Sequence, residues 1–527
     1  MKSLKIIGLI ALAASVSHPN AFAQDENTAV IYMDSTEQTI TGFGAAGIVG
    51  WRPNLTIDEL ETAYNDLGFT ILRLRIPPQE NHKADQSAWN ANLEVAVAAH
   101  NMGFILIASP WTPPASMKTN NNLVGGRLSD DAYDDFAEYL HDFGTYMAEN
   151  GAPVYAVSVQ NEPDIEVSYE SCDYTPEEML TFMRDYADAI TSTKVMAPES
   201  FQYRKNMSDP ILMDSAATAN TDMIAGHIYG GGNTQYPLAK EKGKDMWMTE
   251  YLIGNESSAN LWDIAELGGR VLHTSMEANM NAYIWWYMVR FYSVLHDGTD
   301  PIDDRFNDTA SKGSVTKLGY VTANYSKFVR PGYQRVYTFG PVGRGIEPLH
   351  ITAYKDTATS KMVIVALNDT DNEREVGLLV DGAFPQAFTP YQTSNNQNLE
   401  QLDNIAVTGD TVFVTLPAHS ITSYVSDFSL VSNENDDLTP EAYRLDQNYP
   451  NPFNPSTNIS YTIPEASDVT LKVFDLLGRE VATLVNSRMA AGDHSFSFDA
   501  SNLSSGVYIY QLRTNNYIST KKMMLIK

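Results

Sequence analysis

Eight short apolar runs, alternating with segments of helical apolar spacing, constrain the fold of this chain more than any other feature. The runs lie at 41–45, 71–76, 104–109, 154–160, 194–197, 223–227, 246–249 and 282–286. Among the segments between them, 130–150, 175–191 and 260–279 carry apolar residues at helical intervals. Ser129 opens the first of these as a helix cap, and Thr175-Pro176 opens the second as a cap followed by a first-turn proline. Eight strand–helix alternations predict a (β/α)8 TIM barrel over 42–325 in preference to a doubly wound sheet, which shows fewer.

Two acids stand at the ends of these runs. Gln160-Asn161-Glu162-Pro163 follows the fourth run, and Met248-Thr249-Glu250 ends the seventh, 88 residues further on. In a β/α barrel the C-terminal ends of all strands open onto one face, so distant residues converge there. Two carboxylates brought together in this way are what a retaining glycosidase needs. One protonates the leaving sugar oxygen, and the other attacks the anomeric carbon. Glu162 is expected to be the acid/base, with its pKa raised by partial burial and a neighbouring carboxylate, and Glu250 the ionised nucleophile. Asn161 suits an amide that binds the sugar 2-hydroxyl.

Aromatic residues gather near both acids: Trp111, His227, Tyr229, Trp247, Tyr251, Trp285, Trp286, Tyr287 and Tyr292. Sugar C–H faces stack on such rings, so a glycan cleft is lined this way. Side chains alternate along a strand, so Trp285 and Trp286 cannot both face the cleft; Trp286 is assigned to it, with Trp111, His227, Tyr229 and Tyr292. Arg290 follows the eighth run. It can pair with a carboxylate on a substrate, or with Asp297, Asp300, Asp303, Asp304 or Asp308 in the loop beyond it. The spacing of that loop is not that of a calcium-binding hand, and no metal or cofactor is expected.

The chain carries 35 Lys+Arg against 65 Asp+Glu, a formal net charge of −30. This excludes a nucleic-acid partner, and any anionic substrate needs a local cation to bind. Residues 1–23 read as a signal peptide, with Lys2 and Lys5, an apolar stretch, and Ala21-Phe22-Ala23 before the cut. The stretch is too short to span a bilayer, and no transmembrane segment is expected in the mature chain. Cys172 is the single cysteine in the chain and reads as an ordinary packed thiol.

Beyond the barrel, short alternating runs at 326–427 predict a β-sandwich side domain, and 24–41 supplies a strand to it. Residues 428–442 are polar and acidic and read as a linker. Residues 443–527 form a separate small β module.

Over 39–427 the chain resembles glycoside hydrolase family 30, in its bacterial glucuronoxylanase subfamily. The resemblance is carried by Gly42-Phe43-Gly44, Ala108-Ser109-Pro110-Trp111, Val157 to Asp164, Met248-Thr249-Glu250, Trp285-Trp286-Tyr287 with Arg290 and Tyr292, and Phe328 to Gly332. It implies a retaining endo-β-1,4-xylanase that recognises a glucuronate branch on xylan. Glu162 would be its acid/base and Glu250 its nucleophile, with Arg290 holding the uronate carboxylate and Tyr292 beside it. The chain departs from the subfamily at Leu252 and Asn255, where a tyrosine and a serine are usual, and at Val289 and Phe291. The alternatives are a family member acting on unbranched xylan or another β-glycan, and a surface glycan-binding protein that does not cut. The C-terminal module resembles the sorting domain of type IX secretion substrates from the Bacteroidetes, on Asn448 to Pro455, Val473 to Glu480 and Gly506-Val507-Tyr508. That implies export, with the secretion machinery as partner and release or surface attachment as the outcome.

Overall fold

The computed structural model describes residues 27–51, 54–299, 310–341, 349–430, 443–448, 451–475, 479–489, 491–514 and 517–527. The signal peptide, the loop aspartates from 300 onward and most of the linker lie outside them. The chain divides into two compact units, 1–431 and 432–527.

In the first unit, strand β1 (Thr28–Thr39) precedes a closed parallel barrel. Its staves are β2 (Gly42–Ala46), β3 (Ile71–Ile76), β4 (Ile105–Pro110), β5 (Ala156–Ser158), β6 (Lys194–Ser200), β7 (Met223–His227), β8 (Asp245–Glu250) and β9 (Ala282–Trp285). Period-two alternation sorts their side chains. Ile71, Ile107, Ala156, Met196, Ala225, Trp247 and Ile284 pack together in one cluster, whereas Leu72, Leu106, Val157, Ala197, Met246 and Tyr283 pack in another with the surrounding helices. The first of these clusters fills the barrel interior below the strand ends.

Two expected strands differ in length by three residues or more. The fourth stave keeps ladder pairing only over Ala156–Ser158, because the chain beyond it bends toward the strand ends. There the Asn161 N–H donates to the Pro110 carbonyl at 2.8 Å and the Glu162 N–H to the Glu199 carbonyl at 3.1 Å. The fifth stave runs on to Ser200 through an irregularity between Pro198 and Ser200. Of the two expected caps, Thr175 forms a full capping box with Glu178, with Pro176 in the first turn. Ser129 makes no cap hydrogen bond; a 3-10 turn at Asp130–Ala132 leads into the helix Tyr133–Glu149 instead.

The side domain contains β10 (Gln334–Phe339), β11 (His350–Asp356), β12 (Lys361–Asn368), β13 (Arg374–Asp381), β14 (Ala383–Pro385), β15 (Ala387–Ser394), β16 (Gln397–Gln401), β17 (Ile405–Ala406), β18 (Thr411–Leu416) and β19 (Ser420–Leu430). Nine strands form one hydrogen-bonded path, β16-β15-β19-β12-β11-β10-β1-β13-β18. Val376, Val412 and Val414 from one end pack in the same core as Ile364, Phe388 and Tyr424 from the other. The path therefore curls over itself, and the two faces of the sandwich come from a single sheet. β1 lies inside it, antiparallel to β10 and parallel to β13. β19 continues to Leu430, three residues past the expected end of the domain, and the helix Lys317–Ser326 carries the barrel boundary one residue further.

The second unit holds a three-stranded and a four-stranded antiparallel sheet. Ile459 and Tyr461 from one sheet and Leu471, Val473 and Leu512 from the other share one buried core. Tyr510 is fully buried there and keeps its hydroxyl satisfied, donating to the Asp446 carbonyl at 2.6 Å and accepting from the Asn448 N–H at 2.7 Å. No helix among the described residues is long and apolar enough to cross a membrane.

Gly44 sits where β2 meets β3, and a Cβ there would lie 1.9 Å from the Ile71 carbonyl oxygen. Backbone cannot yield as a side chain tip does. Gly44→Ala is expected to destabilise the barrel by about 3 kcal/mol, read as a lower midpoint in denaturant unfolding with the slope unchanged.

Candidate active site

Arg73 is an arginine in the middle of the β3 sequence Ile-Leu-Arg-Leu-Arg-Ile, and it is fully buried. The alternation that puts Ile71 in the barrel interior puts Arg73 one layer higher, at the mouth. Its Nη1 donates to Glu250 Oε2 at 2.6 Å and its Nη2 to Asn161 Oδ1 at 2.6 Å. Nη2 also stands 3.1 Å from Glu199 Oε1, and Nε donates to Ser109 Oγ at 3.3 Å. The guanidinium carbon lies 4.7 Å from the centre of the Trp111 ring, within cation–π range.

Glu250 receives a second donor, the Tyr229 hydroxyl, at 3.0 Å. Across the mouth, Glu162 Oε2 accepts from the Tyr169 hydroxyl at 2.9 Å, and its Oε1 meets His227 Nδ1 at 2.9 Å. One donor atom from each of Glu162, His227 and Glu250 lies within 4.8 Å of the others. Both catalytic candidates are buried, and Glu162 has a backbone φ of 48°. That left-handed conformation costs a non-glycine residue on the order of 1 kcal/mol. It is secured by the two backbone hydrogen bonds described above and by Asp164, which accepts from the Phe201 N–H at 2.9 Å and the Ser200 hydroxyl at 2.7 Å.

Above the pair lies a cleft of about 570 Å³, lined by Trp51, Trp111, Tyr169, Tyr229, Trp286 and Tyr292 among others. Trp51, Trp111 and Trp286 form one wall, with ring centres 5.2 Å and 5.7 Å apart along it. Trp285 is buried behind it against Tyr251 and Tyr283. Leu252 and Asn255 also line the cleft.

The comparisons with known proteins agree with this geometry. Residues 81–268 match the glycosyl hydrolase family 30 TIM-barrel domain. The chain is 37% identical over 411 residues to glucuronoxylanase XynC of Bacillus subtilis (strain 168), spanning 75% of this chain and 90% of that protein. The chain belongs to glycoside hydrolase family 30. Its fold matches that of the family 30 subfamily 8 xylanase Xyn30A from Clostridium acetobutylicum, with TM-score 0.68, 34% identity, and coverage of 76% of this chain and 100% of that one. A family 30 endoxylanase from Clostridium papyrosolvens C71 gives TM-score 0.66 at 35% identity, again covering 76% and 100%. Residues 447–527 match a secretion system C-terminal sorting domain.

Within this family 30 site the structure brings together Glu162, Glu250, Asn161, Trp111, His227, Tyr229, Trp286 and Tyr292. Arg290 stands beside Tyr292 and is held in an ion pair. Its Nη1 lies 2.6 Å from Asp297 Oδ2, and its guanidinium carbon stands 5.4 Å from the ring centres of Phe291 and Tyr292. Sequence reading missed Arg73, Glu199, Tyr169 and Trp51. For Arg73 the signal was a charge placed inside an apolar parallel strand, which demands buried partners. For Glu199 it was a third acid at a strand end.

Charge balance explains how so many ionisable groups share this space. Burial pushes Glu199 up, but Arg73 and His227 outweigh it and hold the carboxylate down at about 2. Burial alone would lower His227; Glu250, Glu162 and Glu199 reverse that and raise it to about 9. Burial raises Glu250, against the opposing pull of His227 and Arg73.

Arg73→Ala is expected to lower unfolding stability by about 3–5 kcal/mol, because Glu199 and Glu250 would be left as buried, uncompensated acids. Tyr229→Phe, which removes one donor and no volume to speak of, is expected to keep the unfolding midpoint while turnover falls. Thermal unfolding beside steady-state rates separates the two.

Proposed function

We propose that this chain is a secreted retaining endo-β-1,4-xylanase acting on glucuronoxylan, exported by type IX secretion through its sorting domain. The observation that carries the catalytic part is that one carboxylate oxygen of Glu162 lies within 4.8 Å of one of Glu250 at the strand ends. Retaining enzymes hold their carboxyls about 5–5.5 Å apart, whereas inverting ones leave room for a water at about 6.5–9.5 Å. Identity to a protein named glucuronoxylanase supports the substrate class.

In this mechanism Glu162 gives its proton to the glycosidic oxygen while a Glu250 oxygen bonds the anomeric carbon, and the glycosidic C–O bond breaks. Glu162, now an anion, takes a proton from water, whose oxygen displaces Glu250 from the sugar. Two donors on the Glu250 carboxylate, from Arg73 and Tyr229, aim it and favour its charged form. Asn161 has its oxygen committed to Arg73, leaving its NH2 group for the sugar. No cofactor takes part.

Recognition of the uronate rests on Arg290 beside Tyr292, supplying the local cation that an acidic protein needs. Asp297 holds Nη1 of that guanidinium, so a substrate carboxylate either competes with it or takes the remaining N–H donors. The same ion pair, with Leu252 and Asn255 in the cleft wall, favours a second reading in which unbranched xylan is cut as well.

Digestion of glucuronoxylan and of debranched xylan, with the first-formed anomer read by proton NMR, tests both. The β-anomer is expected first, and Glu162→Gln and Glu250→Gln are expected to lose at least about 10³-fold in rate. The α-anomer first would rule out retention. Arg290→Ala is expected to cut kcat/KM on glucuronoxylan about 10- to 100-fold with little change on debranched xylan. Asp297→Asn is expected to widen the preference for the branched substrate. Equal cutting of both xylans by the native chain and by both variants would remove the uronate from the recognition. Binding without cutting would leave a glycan-binding protein.

A further inference from the structure

Glu199 is an acid of the barrel mouth with no role in the chemistry above. It is completely buried, and its backbone φ is 56°, so it is held in place against a conformational cost. Its carboxylate touches neither the cleft nor the two catalytic candidates. It lies instead between two cations: 3.1 Å from Arg73 Nη2 and 3.8 Å from His227 Nε2. Each of those cations reaches a different catalytic acid, Arg73 donating to Glu250 and His227 meeting Glu162.

We propose that Glu199 is a positioning residue whose fixed negative charge keeps His227 doubly protonated, so that one imidazolium serves both catalytic carboxyls as negative charge passes between them. The inference rests on the double-displacement reading. In the first half-reaction a proton leaves Glu162 and Glu250 becomes a neutral glycosyl ester, so one negative charge moves from Glu250 to Glu162. In the second half-reaction it returns. His227 stands at both positions, with Nδ1 2.9 Å from Glu162 and Nε2 4.0 Å from Glu250. Arg73 and His227 contribute two positive charges, Glu199 one fixed negative charge, and the catalytic pair one mobile negative charge. The buried group is neutral before and after each step.

The histidine's own geometry places a proton on Nε2. The groups facing it are Glu162 on Nδ1, Glu199 and Glu250 on Nε2, and the edge of Tyr229 at 6.0 Å between ring centres. A bare Nε2 lone pair would point at two carboxylates, whereas an Nε2–H is attracted by both. Without Glu199 the two cations would face a single mobile anion, and His227 would be the group that gives up its proton, since Arg73 cannot.

The test compares pH–rate profiles of the full chain and its Glu199→Gln and Glu199→Asp variants on whichever xylan the native protein cuts. The native profile is expected to fall on its basic side near the His227 value of about 9. Glu199→Gln is expected to move that limb down by about one pH unit or more. It should lower kcat about tenfold or more while KM changes less than about twofold, since Glu199 meets no substrate. Glu199→Asp, which keeps the charge, is expected to hold the native limb. Imidazole nitrogen NMR, with the His227 signal assigned by its loss in His227→Gln, reads the charge directly and needs no turnover. It should show an imidazolium at neutral pH in the native chain and a neutral ring in Glu199→Gln. If the glutamine variant does not fold, Glu199→Asp against Glu199→Asn compares charge at equal size. An unmoved limb together with a charged His227 in the neutral variants would overturn the inference. Inversion of configuration by the native chain would overturn the functional reading instead, with the NMR result still deciding the charge of His227.

Discussion

A single guanidinium organises the mouth of this barrel. Arg73 enters from the second stave and reaches Glu250 from the seventh, Asn161 from beyond the fourth and Glu199 from the fifth. A lysine could not do this, since its ammonium is a point charge without a planar fork. Burying a cation completely is unfavourable by itself, and the acids around it would be equally unfavourable without it. Cation and carboxylates are therefore tolerated only together. This mutual dependence ties the alignment of three staves to the chemistry at their ends, and it turns a collection of strand-end residues into one charge-balanced group.

The parts of this arrangement that were legible in the sequence are those that periodicity and strand ends report. Eight alternations gave the barrel, and Glu162 and Glu250 stood out because each follows an apolar run. Alternation was enough to separate Trp286 from Trp285. Arg73 escaped for the opposite reason: it lies inside a run, and its two apolar neighbours made the segment look like ordinary core. Glu199 is a strand-end acid like Glu250, but its function depends on which cations lie beside it, which no local pattern states. Tyr169 comes from the loop after the fourth stave, whose path is set by tertiary contacts such as the Arg75–Glu170 ion pair rather than by any periodicity. For Arg290 the sequence offered several loop aspartates as partners; folding brings Asp297 to it.

The aromatic wall and the ion-paired floor divide the work of the cleft. Trp51 and Trp286 present apolar ring surface with Trp111 packed between them, and such surface discriminates little between sugars of similar shape. Specificity must therefore come from the polar groups around them, and these differ in how firmly they are held. Arg73 and its partners are locked from every side. Arg290 has an intramolecular carboxylate and two flanking rings, a looser arrangement that a competing anion can enter. In this family 30 protein the groups proposed for catalysis thus have more partners than the arginine proposed to select the substrate.

The place of β1 in the side sheet has a consequence for how the chain matures. Val30 pairs with Phe339 and Thr28 with Gly377, partners 309 (339 − 30) and 349 (377 − 28) positions later. Ordinary hairpins form as soon as a few residues have emerged, but this strand has no neighbour until almost the entire barrel has been synthesised. Until then it has no partner strand to pair with, and the side sheet cannot close around it. Completion of that sheet is a late, long-range event, and the catalytic unit acquires its final form only after the chain has passed its own midpoint by more than a hundred residues.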